Sequence, residues 1–379
     1  MTVVGRPVDS AAMTAAQTDN LARARTAMAG SSVDALLLGP GADLRYLTGY
    51  EALPLERLTL LVARADGPAV LFVPELEEPR AKAAPLPDDV EVVSFGETDD
   101  PYKLVAGSLA RAQRFGVGDR LWSMFLLGLQ HVVPDAQWVP ATTVTKHLRM
   151  RKTASEVDAL RRAGQAIDRV HQQVPGFLRP GRTEAEVGRN IAEAIVAEGH
   201  STVNFVIVAS GPNGASPHHE TGTRVLESGD SVVVDIGGTL DAYCSDSTRN
   251  YLIGDAPQGY AQAHAALEAT QRAACDAVRP GVTAEAVDAV ARDILTDAGF
   301  GEYFVHRTGH GIGMEEHEDP YIVAGNDTVL EPGMAFSIEP GVYLPGRFGM
   351  RIEDIVVVTD DGYERLNTID RSVVSVPAR

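Results

Sequence analysis

Five residues in the second half of the chain combine types and positions suited to holding metal: Asp235, Asp246, His310, Glu339 and Glu353. Asp235 ends the apolar run Ser231-Val-Val-Val, and Asp246 sits in Tyr243-Cys-Ser-Asp-Ser-Thr-Arg249, a second strand pattern. His310 lies in the glycine-rich stretch Thr308-Gly-His-Gly-Ile-Gly313, whose glycines would let backbone approach a ligand closely. Glu339 and Glu353 interrupt the apolar stretches Ser337-Ile-Glu-Pro-Gly341 and Met350-Arg-Ile-Glu-Asp354. A carboxylate in a buried strand must be protonated, paired or bound to a cation. Four carboxylates and one imidazole match the donors preferred by Mn²⁺, Co²⁺, Zn²⁺ or Fe²⁺. Neutralising four carboxylates takes two such ions, and carboxylates can bridge ions a few ångströms apart. The plainer alternative is that some of these acids form core ion pairs, with Arg249 or Arg351 as the nearest candidates.

The eleven-residue separation of Asp235 and Asp246 suits two adjacent strands joined by a tight glycine-containing turn, which would bring both carboxylates to the same end. The segment around them carries an internal echo. Arg179-Pro-Gly-Arg-Thr-Glu-Ala-Glu-Val187 recurs 100 residues later as Arg279-Pro-Gly-Val-Thr-Ala-Glu-Ala-Val287. Each copy opens a helix with Thr183 or Thr283 at the N-cap and closes it at Gly199 or Gly299. Chance could yield Arg-Pro-Gly twice, but matched caps, lengths and closing glycines favour two related halves of helices on antiparallel strands. Such halves would face each other across a central site.

Upstream, residues 1–150 alternate apolar runs with helical patterns, as an α/β layer does. Strands are expected at 33–38 and 90–95, a hairpin at 58–63 and 69–73 around Ala65-Asp-Gly-Pro68, and a helix over 103–113. Nothing there clusters His, Cys or carboxylates as ligands, so it reads as a supporting domain. Residues 1 to 20 are small, polar and unpatterned and are expected to be loosely ordered. A domain boundary falls near 146–154, where the basic cluster Arg149, Arg151, Lys152 reads as a solvated linker. Thr153 with Glu156, or Ser155 with Asp158, could then form a capping box. The catalytic part spans 151–379.

The chain has 379 residues, 44% apolar and 22% charged, enough for one or two packed cores. With 52 acidic and 33 basic residues its formal charge is −19, and no long Lys/Arg run offers the basic surface that a nucleic-acid binder needs. No segment reaches the roughly 18 apolar residues of a membrane span. The first residues lack an apolar stretch behind a basic start, and Cys244 and Cys275 make no disulfide framework, so a cytoplasmic protein is expected.

The five segments, with ligand spacings of 11, 64, 29 and 14, resemble the pita-bread metallopeptidases: methionine aminopeptidase, aminopeptidase P and prolidase. The first 150 residues are similar to the creatinase-type N-terminal domain of prolidase and aminopeptidase P, notably at Gly41-Ala-Asp-Leu-Arg-Tyr-Leu-Thr-Gly49. The resemblance implies an α+β chain, with a pseudo-symmetric pita-bread domain behind an α/β domain. It further implies that Asp235 chelates one ion and His310 the other, with Glu339 on the His310 side and Asp246 and Glu353 bridging. His218, in Ser216-Pro-His-His219, and His317 would bind substrate and the developing oxyanion. His219 and His306 are left as structural residues or as supports behind the site, and Cys244 reads as a small buried hydrophobe.

The implied activity is hydrolysis of an Xaa-Pro bond, by a hydroxide that two ions sharing a water make available near neutral pH. Glu339 would move a proton to the leaving nitrogen. Mn²⁺ or Co²⁺ is the expected cofactor, and a homodimer the expected assembly. A methionine-aminopeptidase-like enzyme, a metal-free creatinase-like hydrolase and a catalytically silent binding module are the competing readings. A dipeptidase must also hold a free carboxylate. Some related prolidases place Arg after the proline of the His317 segment, where this chain has Tyr321. Arg351, Arg347 or a residue of a second subunit is left for that task.

Overall fold

The computed structural model describes residues 10–109 and 113–378, and the chain divides into two compact units between Arg149 and Met150. In the first unit, β1 (Ala35–Leu38), β2 (Leu60–Arg64), β3 (Ala69–Pro74), β4 (Val90–Phe95), β5 (Arg114–Val117) and β6 (Gln137–Pro140) form one mixed sheet in the order β4-β3-β2-β1-β5-β6. The expected hairpin is present, with Leu61 opposite Leu71. Two expectations differ. Residues 10–20 are not loose but begin an alanine-rich helix, Ser10–Ser31, in which Gln17, Asn20 and Leu21 are buried. The helix expected over 103–113 starts earlier, where Asp100 caps Pro101–Ser108, and it ends at Ser108. Residues 110–112 lie outside the described part.

The basic cluster at the boundary is not a solvated linker. Lys152 is buried and donates to Glu318 at 2.7 Å, and Arg149 pairs with Asp43 at 2.9 Å. Arg151 alone stays exposed, against Glu331. Three successive cations point to three separate partners, a pattern that composition cannot show. Thr153 and Glu156 form the capping box that opens helix Ala154–Gln173.

The second unit is two sheets with paired helices outside each. β7 (Thr202–Ser210), β8 (Ser231–Leu240) and β9 (Tyr243–Ile253) run antiparallel, covered by helices Ala154–Gln173 and Glu184–Ala197. The other sheet uses β10 (Gly309–Gly311), β11 (Glu318–Ile322) and β12 (Ala335–Ile338). It is completed, beyond the hairpin β13 (Gly341–Leu344) with β14 (Phe348–Arg351), by β15 (Asp354–Val358) and β16 (Tyr363–Arg365). Its order is β11-β10-β12-β15-β16, and helices Tyr260–Ala277 and Ala284–Asp297 pack in the core on its outer side. β17 (Val374–Val376) adds in parallel to β9.

The sequence echo is a structural one. Gly181 donates its N–H to Leu226 and Gly281 donates to Leu330, both at 2.9 Å, and Thr183 and Thr283 bridge to Val225 and Val329. The two caps differ in detail. Thr183 closes a full capping box with Glu186, whereas Thr283 makes no side-chain cap bond, its N3 residue being Ala286. Gly199 and Gly299 take φ of 103° and 83°, the left-handed region that suits glycine after a helix.

Candidate metal centre

The β8–β9 register places Asp235 opposite Thr248 and Asp246 opposite Gly237. The two carboxylates therefore share a face of the hairpin, displaced by one diagonal step, in mid-strand rather than at a strand end. The connecting turn contains no glycine. Asp241 and Ala242 carry it with φ of 50° and 74°, the backbone that a two-residue hairpin demands. Gly237 instead belongs to the strand, where a Cβ would meet the Phe205 ring and the Ser245 carbonyl.

The opposite sheet supplies the rest. His310 sits in β10, Glu339 directly follows β12, and Glu353 directly precedes β15. The glycines flanking His310 serve packing rather than ligand access: a Cβ on Gly309 would strike the Ser337 carbonyl, and one on Gly311 the Asp319 carbonyl. They let β10 press between β11 and β12. His310 is oriented by its own backbone, Nδ1 lying 3.1 Å from the Gly311 carbonyl. That carbonyl can only accept, so Nδ1 carries a proton and Nε2, the atom left for a cation, faces Glu339 at 3.2 Å and Asp246 at 3.7 Å.

All five residues line one cavity of about 570 Å³, together with His218, His317, His306, Arg307, Glu316, Arg351 and an apolar wall of Phe205, Ile207 and Pro217. Donor atoms of Asp246, His310 and Glu353, all buried, lie within 4.8 Å of one another. Burial raises the Asp246 carboxyl well above its ordinary range, and repulsion from Glu353, Asp235 and Glu339 adds to this. Burial, with repulsion from Glu339 and Asp235, does the same to Glu353. Thr248 makes the same point independently. Its hydroxyl lies 2.8 Å from Asp235 and 2.7 Å from Glu353, yet has one proton to donate, so the second contact needs a proton on a carboxylate. A divalent cation at Asp246, His310 and Glu353 removes both difficulties, and the donor set fits it. Glu339 differs: burial would raise it, but a hydrogen bond from His310 and the charges of His310, His306 and Arg351 hold it at about 2.

This electrostatics has a measurable consequence. In the metal-free folded protein Asp246 and Glu353 keep protons that the unfolded chain releases near a pH of roughly 4. The folded state then binds more protons, and its stability falls as pH rises. Glu339, held low, is ionised in both states across that window and adds no slope. A bound cation takes the place of those protons, so the Tm gap between metal-loaded and chelated protein is expected to widen from about pH 5 to about pH 8. Differential scanning calorimetry at both values checks this, and a narrowing gap would contradict it.

Arg351 is where the ion-pair alternative is realised. It is buried, pairs with Asp235, and donates to Thr248 at 3.0 Å and Tyr343 at 2.8 Å. Arg249 pairs with none of the five; it meets the fully buried Asp354, which Arg365 and Arg371 also approach. Consecutive acids thus serve opposite purposes, Glu353 facing the cavity and Asp354 the core. Arg347 points away, donating to the Gln258 carbonyl.

His218 and His317 both open onto the cavity, with the His317 ring centroid 4.2 Å from that of His310. Desolvation, with the charges of His310 and Arg307, holds His317 down to about 4, so it is neutral near pH 7 and can donate an N–H. His219, left as structural, binds the buried Glu184 at 2.8 Å. Glu184 also accepts from Ser210, Asn213 and Gly222, which fixes the loop bearing His218.

Tyr343 and Arg307 were missed in the sequence, and His306, given a structural or supporting role, has one beside the cavity. His306 lines the cavity, Nε2 lying 2.8 Å from the Tyr343 hydroxyl, and burial lowers its pKa. Its place four residues before His310 was the available signal. Tyr343, pushed up to about 12 chiefly by burial, had none.

The model of metallopeptidase family M24 matches residues 158–360, and that of the creatinase/prolidase N-terminal domain matches residues 20–151. A protein of Mycobacterium tuberculosis described as a probable dipeptidase, PepE, is 53% identical over 360 residues, covering 94% of this chain and 96% of its own. The Xaa-Pro dipeptidase of Lactobacillus delbrueckii subsp. lactis is 35% identical over 368 residues, covering 95% of this chain and all of its own. Among solved structures, dipeptidase PepE from Mycobacterium ulcerans superposes with a TM-score of 0.92 at 54% identity, covering 98% of this chain and 100% of that one. A prolidase from Thermococcus sibiricus gives 0.89 at 34% identity, covering 95% and 99%.

Proposed function

The chain belongs to metallopeptidase family M24, as a metallo-exopeptidase with a creatinase/prolidase N-terminal domain, and from that premise we propose that it is a dipeptidase cleaving Xaa-Pro bonds. The observation that carries this reading is one cavity that combines a cation-binding cluster, two histidines open to substrate and an apolar wall for a proline ring. Asp235, Asp246, His310, Glu339 and Glu353 would hold two divalent ions, Mn²⁺ or Co²⁺ before Zn²⁺ or Fe²⁺. When bound, such ions supply Lewis acidity to a carbonyl and lower the pKa of water.

The chain's own residues do the remainder. His218 and His317 hold the scissile carbonyl and donate to the oxygen as it gains charge. Glu339 moves a proton to the leaving nitrogen, kept in place by Ser337, which donates to it at 3.0 Å. Phe205 and Ile207 face the ring and exclude water from it.

Chelated, metal-reloaded and untreated protein should be assayed on Xaa-Pro, Xaa-Pro-Yaa and Met-Yaa peptides. Activity on Xaa-Pro that vanishes on chelation and returns with Mn²⁺ or Co²⁺ supports the reading. Preference for Met-Yaa, or full rates in protein shown metal-free by elemental analysis, overturns it.

A homodimer in which the N-terminal domain helps to close the partner's site accompanies this proposal, on the family resemblance. Exposed Trp122, Met124 and Leu127 on that domain are apolar area for such a contact. Sedimentation at assay concentration checks it, and a fully active monomer counts against it. We place the protein in the cytoplasm, where the free, buried Cys244 and Cys275 would stay reduced; recovery from an extracellular fraction would exclude that.

A further inference from the structure

Two guanidinium groups reach the cavity, and their commitments differ. Arg351 is buried, with donors directed to Asp235, Thr248 and Tyr343. Pulling it onto a substrate would strip Asp235 of its partner. Arg307 lines the same cavity half-buried, with no carboxylate within ion-pair distance among the described residues. Its guanidinium lies over the Tyr321 ring, 4.6 Å from the centroid.

The backbone on both sides of this pair is fixed. Arg292 donates to the His306 carbonyl at 2.6 Å, and the His306 ring engages the Arg307 carbonyl at 2.7 Å. Thr308 donates its N–H to Ile322, the residue after Tyr321, at 2.9 Å. Stacking on an aromatic face orients a guanidinium without using its N–H donors, so the planar fork remains available to a ligand. An uncommitted fork of this kind suits a carboxylate, which it can bind with two parallel hydrogen bonds.

Resting on the Xaa-Pro dipeptidase reading, we propose that Arg307, carried on the Tyr321 ring, receives the α-carboxylate of a two-residue substrate and thereby sets the preference for dipeptides over longer peptides. The location suits that role. Arg307 lies within electrostatic reach of His317, whose ring neighbours that of His310. In a dipeptide the terminal carboxylate is only a few bonds from the scissile carbonyl, so a receptor for it must sit close to the candidate metal centre. A longer peptide presents a neutral amide at that point, and the fork gains no charge-assisted bond. The same geometry accounts for Tyr321: in this chain the cation comes from the segment just before β10 and the Tyr321 ring is its platform.

The test uses metal-loaded, full-length protein with Ala-Pro and Ala-Pro-amide as substrates, and L-proline and L-prolinamide as ligands in calorimetric titrations. The wild type is expected to favour the free carboxylate in both comparisons. Arg307→Met should lower the kcat/KM ratio of dipeptide over amide by about tenfold to a hundredfold, mostly through KM, the range for a lost charge-assisted hydrogen bond. It should also abolish the preference for proline over prolinamide. Arg307→Lys should recover part of both effects, because the charge remains while the fork is gone. Tyr321→Leu should weaken the preference in the same direction. An unchanged ratio in Arg307→Met, or an equal fall on both substrates, overturns the assignment of Arg307 while leaving the peptidase reading standing. A wild type that turns over neither peptide overturns that reading, and this inference with it.

Discussion

Asp246→Ala protein is expected to purify with less than its full metal complement, to melt at lower temperature, and to hydrolyse Xaa-Pro substrates at background rates. Asp246 is buried, feels Glu353, Asp235 and Glu339, and has no Arg or Lys ion-pair partner among the described residues, unlike Asp235. Removing it leaves any bound cations to share three carboxylates. A ligand that binds only the folded state stabilises by mass action, about 2.7 kcal/mol at a hundredfold excess over Kd, and weaker binding forfeits that share. In metal-free protein the same substitution should be mild or even stabilising, because it relieves a carboxyl that burial and three neighbouring acids keep protonated. Elemental analysis with paired melting curves, loaded and chelated, checks both halves. An Asp246→Ala protein that retains two ions and normal rates would remove Asp246 from the proposed centre.

His218→Ala is expected to do the reverse: metal content and melting temperature unchanged, turnover lost. His218 is on the loop after Pro217 and opens into the cavity, while the loop is held independently by Glu184 through Asn213, His219 and Gly222. Truncating the ring therefore leaves its support intact. Losing one preorganised oxyanion donor costs about 10²–10³ in kcat, roughly 3–4 kcal/mol. Steady-state kinetics on an Xaa-Pro peptide, alongside metal analysis, measure it. Loss of metal from His218→Ala would show that this residue ligates rather than binds substrate.

The five metal-candidate residues were legible because acids inside apolar strands violate the ordinary pattern of a buried sheet, and the structure brings all five to one cavity. The halves were legible through local signals that repeat, such as cap threonines and closing glycines. What was not legible depended on long-range partners. Nothing local distinguishes Glu353 from Asp354, and only the register of β15 against β12 turns one to the cavity and the other to Arg249. Lys152 looked like a surface cation until the fold placed Glu318 beside it. His306, Tyr343 and Arg307 are common residue types in unremarkable contexts, and their grouping exists only once the segment before β10 meets β13 at the cavity. The turn between β8 and β9 misled for a local reason: Gly237 and Gly238 attracted the turn reading, but they are glycines because neighbouring atoms leave no room for a Cβ.

The division of donors between the two sheets bears on how the molecule matures. The first sheet carries only Asp235 and Asp246, and the second brings His310, Glu339 and Glu353, so neither half alone assembles the cluster of Asp246, His310 and Glu353. The cluster thus exists only when both halves have docked. Capture of a cation at that cluster would therefore report that the two halves have docked.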